Sequence, residues 1–181
     1  MELAGKRFMV IGGAGFIGSH VVDQLLAAEA KEVIVYDDFF RGTRTNLRHA
    51  LQDSRCTIAP HGGDILHTDI LNKTMEGVDG VFHLAAVWLL QCHEYPRTAF
   101  DVNVQGTFNV IEACIKNGVK RCVYSSSASV YGNAVELPMT EEHPYNNFTF
   151  YGASKIAGEH FFKSLGDRYK LPWVGLRYMN V

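Results

Sequence analysis

Six short apolar runs alternate along this chain with longer segments of helical periodicity, and this alternation restricts the fold more than any other feature. The runs are KRFMVIGG, KEVIVYDD, CTIAPHGG, GVDGVFHLAA, KRCVYSSS and LPWVGLRYMNV, and helices are predicted near residues 16–29, 98–117 and 150–169. Strands that alternate with helices form a parallel sheet with helices on its faces. Continuous apolar strands indicate that both faces are covered. We therefore expect an α/β fold around one six-stranded parallel sheet.

The second predicted helix carries one apolar stripe. Phe100, Val104, Phe108 and Ile111 recur at the helical period within residues 98–117, so we expect them on one face. Such a stripe packs equally well on the sheet or against another helix, and the sequence does not choose between the two.

Length and charge restrict the kind of partner. The chain has 181 residues, of which 47% are hydrophobic, so residues 1–181 are predicted to form one domain. The formal net charge is −2 and the basic residues are scattered, which argues against nucleic acid or a membrane as a partner and favours a small molecule. The longest nearly apolar run, VFHLAAVWLL, is about half a membrane span.

The cysteines and the N-terminal segment indicate the compartment. Cys56, Cys92, Cys114 and Cys122 have no CxxC or Cys/His spacing of a metal site, so no metal is predicted and the thiols are expected to be reduced and structural. The segment MELAGKRFMVIGG passes directly into a strand, which leaves no room for a signal peptide. We expect a cytoplasmic protein.

A glycine-rich turn follows the first predicted strand. In VIGGAGFIGSH, Gly12, Gly15 and Gly18 have the spacing GxxGxxG and precede a helix. The first glycine permits a tight turn, the second lets a pyrophosphate approach the backbone, and the third lets the helix pack closely on the strand. Amides at the helix start, including those of Phe16 and Ile17, then point at the phosphates. The turn therefore predicts a dinucleotide site.

An acidic residue in the expected place favours NAD as that dinucleotide. Asp37 ends the second predicted strand, nineteen residues after Gly18. A carboxylate there accepts hydrogen bonds from the ribose hydroxyls and repels a 2′-phosphate. Arg41 and Arg44 follow closely and are able in principle to hold a phosphate, so NADP stays an alternative. Asp38 fits a solvated loop carboxylate at least as well as a ligand.

A tyrosine and a lysine lie four residues apart in FYGASKIAGEH. Side chains at this spacing share a helix face, so Lys155 is expected beside Tyr151. A neighbouring ammonium and the positive nicotinamide ring would stabilise a phenolate, and Tyr151 would then act as a general base near pH 7. The spacing alone is common on helices and does not establish this chemistry.

Three serines follow the fifth predicted strand. Ligands bind beyond the carboxyl ends of parallel strands, so Ser125, Ser126 and Ser127 are expected near the nicotinamide of a cofactor bound at the first strand. One hydroxyl there can hydrogen-bond a substrate oxygen. One or two of the three are equally well explained as caps of the strand end and turn.

Taken in order, these segments resemble the extended short-chain dehydrogenase/reductase family, and within it the NAD-dependent nucleotide-sugar epimerases and dehydratases, most closely the UDP-glucose 4-epimerase type. The matching motifs are GGAGFIGSH, YDDFFRGT, GDI, HLAA, DVNVQGTFNV, SSSASVYG, YGASK and LRYMNV, and they cover the whole chain. The resemblance implies a doubly wound Rossmann domain with NAD that stays bound through turnover.

The resemblance also implies roles for individual residues. Asp64 and Ile65 would contact adenine, residues 84–86 would line the cofactor channel, and Asn103 would help order the loops there. The full cofactor set implied in this way is Gly12, Gly15, Phe16, Ile17, Gly18, Asp37, Asp64, Ile65, Leu84, Ala85, Ala86, Asn103, Ser125, Tyr151 and Lys155. The implied catalytic residues are Tyr151, Lys155 and Ser127, and the implied substrate contacts are Ser127 and Asn180.

The segment after HLAA departs from the family pattern. Family 4-epimerases often carry a lysine or serine there, where this chain has Trp88 followed by LLQCHEYP, so the sugar pocket is not predicted from this segment. His93 is interpreted as a loop histidine rather than a substrate contact. His83 lies inside a predicted strand and is interpreted as a core residue.

The resemblance predicts 4-epimerisation of a UDP-sugar through a transient 4-keto intermediate. A dehydratase would need an acid and a base after the fifth strand, where this chain has Ala128 and Ser129, so it is the weaker alternative. A simple NAD-linked reductase or dehydrogenase and a non-catalytic NAD-binding protein are the others.

The family also implies length and assembly. The chain stops at Val181, directly after the sixth predicted strand, whereas family members build the sugar site from a C-terminal domain. We therefore expect a chain cut short before the substrate domain and not competent for turnover by itself. A homodimer is expected through the helices near 98–117 and 150–169, where Phe161 and Phe162 supply apolar surface.

Overall fold

The sheet is parallel and six-stranded, as predicted. The computed structural model describes residues 2–181. Its strands are β1 (Arg7–Ile11), β2 (Glu32–Tyr36), β3 (Cys56–Ile58), β4 (Gly80–His83), β5 (Arg121–Ser127) and β6 (Trp173–Tyr178). They lie in the order β3-β2-β1-β4-β5-β6, and each neighbouring pair is parallel. This is the strand order of a doubly wound Rossmann sheet.

Helices connect the strands. They are α1 (Phe16–Ala27), α2 (Thr68–Thr74), α3 (Leu89–Glu94), α4 (Pro96–Ala99), α5 (Thr107–Lys116) and α6 (Phe150–Tyr169). A π-helical segment, Phe100–Gly106, joins α4 to α5. The three predicted helices are confirmed, whereas α2 and α3, with 7 and 6 residues, were not predicted because they are too short for a periodic signal.

Alternate residues of each strand pack into separate cores on the two faces of the sheet. Met9 and Ile11 of β1 contact a core that includes α2, α5 and α6. Phe8 and Val10 contact the other core, which includes α1. Because side chains alternate along a strand, continuous apolar sequence is what a sheet covered on both faces requires.

The predicted apolar stripe on the second helix is wrong in part. Ile111 is fully buried, but Phe100 and Phe108 are 43% and 37% exposed, and Val104 is only half-buried. The π-helical segment has a different period from an α-helix, so residues on its two sides do not continue one 3.6-residue stripe. Val110, adjacent to Ile111, belongs to the face that packs on the sheet.

The cysteines and the helix lengths add two observations. Cys56, Cys92, Cys114 and Cys122 are buried and free, as expected of structural thiols. Across residues 2–181, no helix is both long and apolar enough to cross a membrane.

The sheet has a topological switch point beside β1. The chain runs outward through β2 and β3 on one side and through β4, β5 and β6 on the other. In such sheets a crevice forms where the connections diverge, at the carboxyl ends of the strands. The loops after β1, β2, β4 and β5 meet there, and they carry most of the residues predicted to form a site.

Candidate functional site

Gly12 and Gly18, after β1, occupy positions where a side chain has no room. Gly12 has φ +81°, and a Cβ atom on it would lie 2.7 Å from the backbone nitrogen of Ala85 in the loop after β4. A Cβ on Gly18 would overlap the carbonyl oxygen of Gly12. The first glycine thus allows two loops to meet, and the third lets α1 begin directly on the turn.

The first turn of α1 has free hydrogen-bonding capacity. Gly15 is its N-cap, and in the part of the chain that the structure describes no side chain caps it. The first amides of a helix need acceptors from outside the helix, and the helix dipole favours an anion there. The turn and α1 therefore fit the pyrophosphate of a dinucleotide.

Asp37 is held at the end of β2 by two backbone amides. It is 8% exposed, its Oδ2 accepts a 2.8 Å hydrogen bond from the Ala14 amide, and its Oδ1 accepts a 2.8 Å bond from the Phe39 amide. Burial raises the pKa of Asp37, and the two backbone bonds oppose that change. Each oxygen keeps acceptor capacity for a hydroxyl, which fits a ribose.

The two arginines near Asp37 do not pair with it. The guanidinium of Arg41 lies 5.0 Å from the ring centroid of Trp88, and that of Arg44 lies 5.3 Å from the ring centroid of Phe39. A 2′-phosphate would need a cation beside the ribose acid, so this arrangement favours NAD. Asp38 accepts a hydrogen bond from the Phe40 amide and thus closes a loop, in agreement with its interpretation as a loop carboxylate.

Asp64 and Ile65 follow β3 and meet the end of β2. The Tyr36 hydroxyl donates a 2.9 Å hydrogen bond to the Asp64 carbonyl, and the Asn109 side chain donates a 3.0 Å bond to the Ile65 carbonyl. Ile65 is 3% exposed, and its side chain occupies the space beside Gly106. Their contact with adenine stays a prediction, but they lie on the same sheet edge as Asp37.

Asn103 hydrogen-bonds the loop after β4. Its Oδ1 accepts a 2.7 Å hydrogen bond from the Val87 amide, and its Nδ2 donates to the Val87 carbonyl at 3.0 Å and to Ser154 Oγ at 3.2 Å. Asn103 is 1% exposed. Its amide is engaged within the protein, so we expect its effect on the cofactor to be indirect, through the loop that contains Leu84, Ala85 and Ala86.

Lys155 is buried beneath the carboxyl end of β5. Thr149 caps α6 through a 3.0 Å bond from the Gly152 amide to its Oγ1, which fixes where the helix starts. Lys155 is 3% exposed, and its Nζ donates a 2.8 Å hydrogen bond to the Ser125 carbonyl. Burial lowers the pKa of Lys155 to about 8.

Tyr151 lies on the same helix face, as predicted, with its ring centroid 5.7 Å from Lys155 Nζ. Burial raises the pKa of Tyr151, and interaction with the Ser127 hydroxyl opposes that change. Burial is the larger effect, so the net pKa of Tyr151 is raised rather than lowered as the neighbouring lysine led us to expect. Ser127 Oγ also accepts a 3.1 Å bond from the Ser129 amide, so Ser127 caps the next turn as well as meeting Tyr151.

The sequence reasoning missed a charged residue one turn further along α6. Glu159 is 6% exposed and accepts hydrogen bonds from Ser126 Oγ, from the Tyr145 hydroxyl at 2.7 Å, and from Arg177 of β6 at 2.8 and 3.0 Å. Burial raises the pKa of Glu159, but these donors outweigh it and the net pKa is lowered. Tyr151, Lys155 and Glu159 lie four residues apart on one helix, and this spacing could have indicated from the sequence that Glu159 shares their helix face.

The remaining candidates lie outside this cluster of contacts. His83 is 1% exposed and bonds Thr107 Oγ1 at 3.0 Å, and burial lowers its pKa to about 3, so it is a neutral core residue as predicted. His93 lies on α3 rather than in a loop, and it is exposed. Asn180 is exposed beyond the end of β6, so its contact with substrate stays a prediction.

Known proteins are similar to this chain over nearly its whole length. The model of the NAD-dependent epimerase/dehydratase family matches residues 8–181. UDP-glucose 4-epimerase from Lacticaseibacillus casei is 37% identical over 175 residues, which are 95% of this chain and 50% of that protein.

Two solved structures have the same fold. UDP-glucose 4-epimerase from Brucella ovis in complex with NAD superposes with a TM-score of 0.88 at 32% identity, over 97% of this chain and 52% of that one. A dTDP-glucose 4,6-dehydratase from Streptomyces venezuelae, solved with NAD bound, has a TM-score of 0.88 at 34% identity, over 94% and 55% of the two chains. The chain thus spans about half the length of these relatives.

Proposed function

The chain belongs to the NAD-dependent epimerase/dehydratase family, and from that premise we propose that the protein it forms is a 4-epimerase of a nucleotide sugar, with UDP as the nucleotide. The observation that carries the proposal is the convergence of Tyr151, Ser127 and buried Lys155 at the carboxyl end of β5, next to the switch point. The names of the relatives, UDP-glucose 4-epimerase above all, supply the substrate class.

NAD fits the crevice, since the glycine turn leaves room for a pyrophosphate and Asp37 keeps acceptor capacity for ribose. When bound, it accepts a hydride from the sugar and later returns it. The Rossmann sheet and the family assignment make NAD the cofactor of this protein.

Burial raises the pKa of Tyr151, so its role as a base depends on the positive nicotinamide ring that bound NAD would add beside it. Tyr151 accepts the proton of the sugar 4-hydroxyl while the hydride leaves C4, and Ser127 donates a hydrogen bond to the oxygen that becomes the 4-keto group. Lys155 supplies a positive charge 5.7 Å from the Tyr151 ring centroid, and its pKa of about 8 keeps it mostly protonated at neutral pH. Return of the proton from Tyr151 and of the hydride to the opposite face of the sugar inverts C4 without net oxidation.

Dehydration is the second candidate, because a dehydratase is among the similar structures. It calls for a further acid and base at the turn after β5, and that turn holds Ala128 and Ser129. Ser129 Oγ accepts a hydrogen bond from Ser127 at 3.2 Å, which supports a structural role. Epimerisation needs no such pair, so we favour it. A simple dehydrogenase would release NADH in each cycle, and a net rise in absorbance at 340 nm would reveal it.

The full site and assembly belong to the proposal too. We propose that residues 1–181 are the NAD-binding part, that a further substrate domain completes the sugar site with Asn180, and that the chain alone does not turn over. A homodimer would use the exposed rings of Phe100 and Phe108 on the π-helical segment and α5. Phe108 lies edge-on to Phe161 of α6, with centroids 5.8 Å apart. Phe162 does not belong to this surface, because it is fully buried.

The test is Tyr151→Phe in the complete enzyme, assayed with UDP-glucose and UDP-galactose. We expect turnover to fall by at least about a hundredfold, because the general base is lost, while NAD stays bound. Phe150→Leu is the matched control, since Phe150 is 41% exposed at the start of α6. Near-normal activity of Tyr151→Phe would remove Tyr151 from the mechanism.

A further inference from the structure

The contact between Arg41 and Trp88 joins two loops that lie on opposite sides of the glycine turn. Arg41 follows β2 and Trp88 follows β4, and β1 lies between these two strands in the sheet. Strands two positions apart are separated by about 10 Å. A contact at 5.0 Å between the Arg41 guanidinium and the Trp88 ring therefore passes across the carboxyl end of β1, where the glycine turn begins.

Both ends of this contact are anchored next to it. Gly42 is packed so closely on the turn that a Cβ there would lie 2.7 Å from Ala14 Cβ, and the Thr43 amide donates a 3.1 Å hydrogen bond to the Ala14 carbonyl. On the other side, Asn103 holds both polar groups of the Val87 backbone. Arg41 directly precedes Gly42, and Trp88 directly follows Val87. Each end of the contact is therefore next to a fixed residue, which limits the distance that the contact spans.

The contact between Arg41 and Trp88 leaves hydrogen-bond donors free. Trp88 is 44% exposed, and among residues 2–181 no acceptor bonds the Arg41 guanidinium or the Trp88 indole nitrogen. A guanidinium in a cation–π contact keeps its N–H groups available, and these match phosphate oxygens. The contact with Trp88 thus places the donors of Arg41 without using them.

We propose that Arg41 and Trp88 form a bridge that closes over the pyrophosphate of bound NAD and slows its release. Arg41 donates to a phosphate oxygen, and Trp88 holds the guanidinium in place and covers the phosphates from water. This goes beyond the proposed function, because it concerns cofactor retention and holds whether or not the protein epimerises a sugar.

The test measures NAD release without any turnover. Purified protein loaded with NAD is mixed with excess NADH, and the rate is read from the fluorescence of bound NADH. We expect Arg41→Ala and Trp88→Ala each to release NAD about three- to thirtyfold faster, from the strength of a cation–π contact. The double variant is expected to release it no faster than the faster single variant, since one bridge is removed in each case.

Arg44→Ala is the matched control, because it removes the same charge from the same loop but its guanidinium lies on Phe39. A change below threefold in either single variant, additive effects in the double variant, or an equal effect of Arg44→Ala would each overturn the bridge. Failure of the unmodified protein to bind NAD would instead refute the assignment of NAD as the cofactor, and the bridge with it. Absence of epimerase activity in the unmodified complete enzyme would count against the proposed function and not against the bridge, which is tested by the rates of NAD release alone.

Discussion

Arg177→Met is the most informative single perturbation of this fold, because it removes one partner from a buried ion pair that ties α6 to β6. Arg177 donates to both carboxylate oxygens of Glu159, at 3.0 and 2.8 Å. Its guanidinium also lies 4.9 Å from the Tyr131 ring and 5.2 Å from the Tyr145 ring. Methionine keeps much of the aliphatic volume but leaves the carboxylate without its cation.

The magnitude follows from burial. The side chains of Arg177 and Glu159 are 19% and 8% exposed, so removal of one partner strands a charge in a largely water-free site. Such a loss costs about 3 to 5 kcal/mol in well-buried pairs, and we expect about 3 kcal/mol here because Arg177 keeps some contact with solvent. Arg7→Met is the matched control, since Arg7 and Glu32 form a pair at 2.6 Å whose side chains are 33% and 31% exposed. It should cost below about 1 kcal/mol.

The pH dependence has a defined sign. Glu159 has a pKa lowered from its ordinary 4.5 in the folded protein, so the unfolded chain binds more protons there and the pair contributes stability above that value. This contribution is lost as pH falls through the lower folded pKa. The difference between unmodified protein and Arg177→Met should therefore be full at pH 7 and shrink below about pH 4.5.

The assay is urea unfolding followed by circular dichroism at pH 7 and at pH 4, with slopes compared to check that the same surface unfolds. If Arg177→Met loses no more stability than Arg7→Met, or if its loss is unchanged at pH 4, then Glu159 is not held by Arg177 as described. Glu159→Gln provides a second check, since it removes the charge but keeps one acceptor oxygen and nearly the same volume, and it should be less damaging than Arg177→Met.

Three further outcomes follow from the structure. Asp37→Asn should weaken NAD binding about tenfold or more in calorimetry and reduce the preference for NAD over NADP, because a charged acceptor for the ribose hydroxyls is lost. Unchanged affinity for both NAD and NADP would contradict that role of Asp37. Between pH 8 and 10 the folded Lys155, with a pKa of about 8, has lost its proton while the unfolded lysine keeps it up to about 10.5, so the free energy of unfolding should rise by about 2 kcal/mol. Lys155→Met should remove this rise. Parallel curves of unfolding free energy against pH for the two proteins would exclude a buried titrating lysine. Phe108→Glu should shift a dimer to monomer in sedimentation velocity, whereas Phe40→Glu, at a residue 70% exposed in a loop, should not; equal behaviour of the two variants would exclude the surface.

The fold was predictable from the sequence because its signals are local. Each of the six strands contains an apolar segment, and Gly12 and Gly18 after β1 lie where a Cβ would collide with backbone. The apolar stripe of residues 98–117 failed because a π-helical segment changes the residue period. Nothing in a periodic pattern reveals such a change in advance, since it depends on how Asn103 and its neighbours pack.

The sequence by itself determined the sheet, the dinucleotide turn and the shared helix face of Tyr151 and Lys155, because these depend on residues close together in the chain. Only the tertiary structure decided what these groups contact. It directs the Lys155 ammonium to the Ser125 carbonyl, places Glu159 against Arg177, and brings Arg41 to Trp88. Each of these contacts joins residues from different helices, strands or loops, and such pairings arise from the order of strands in the sheet rather than from any spacing along the chain.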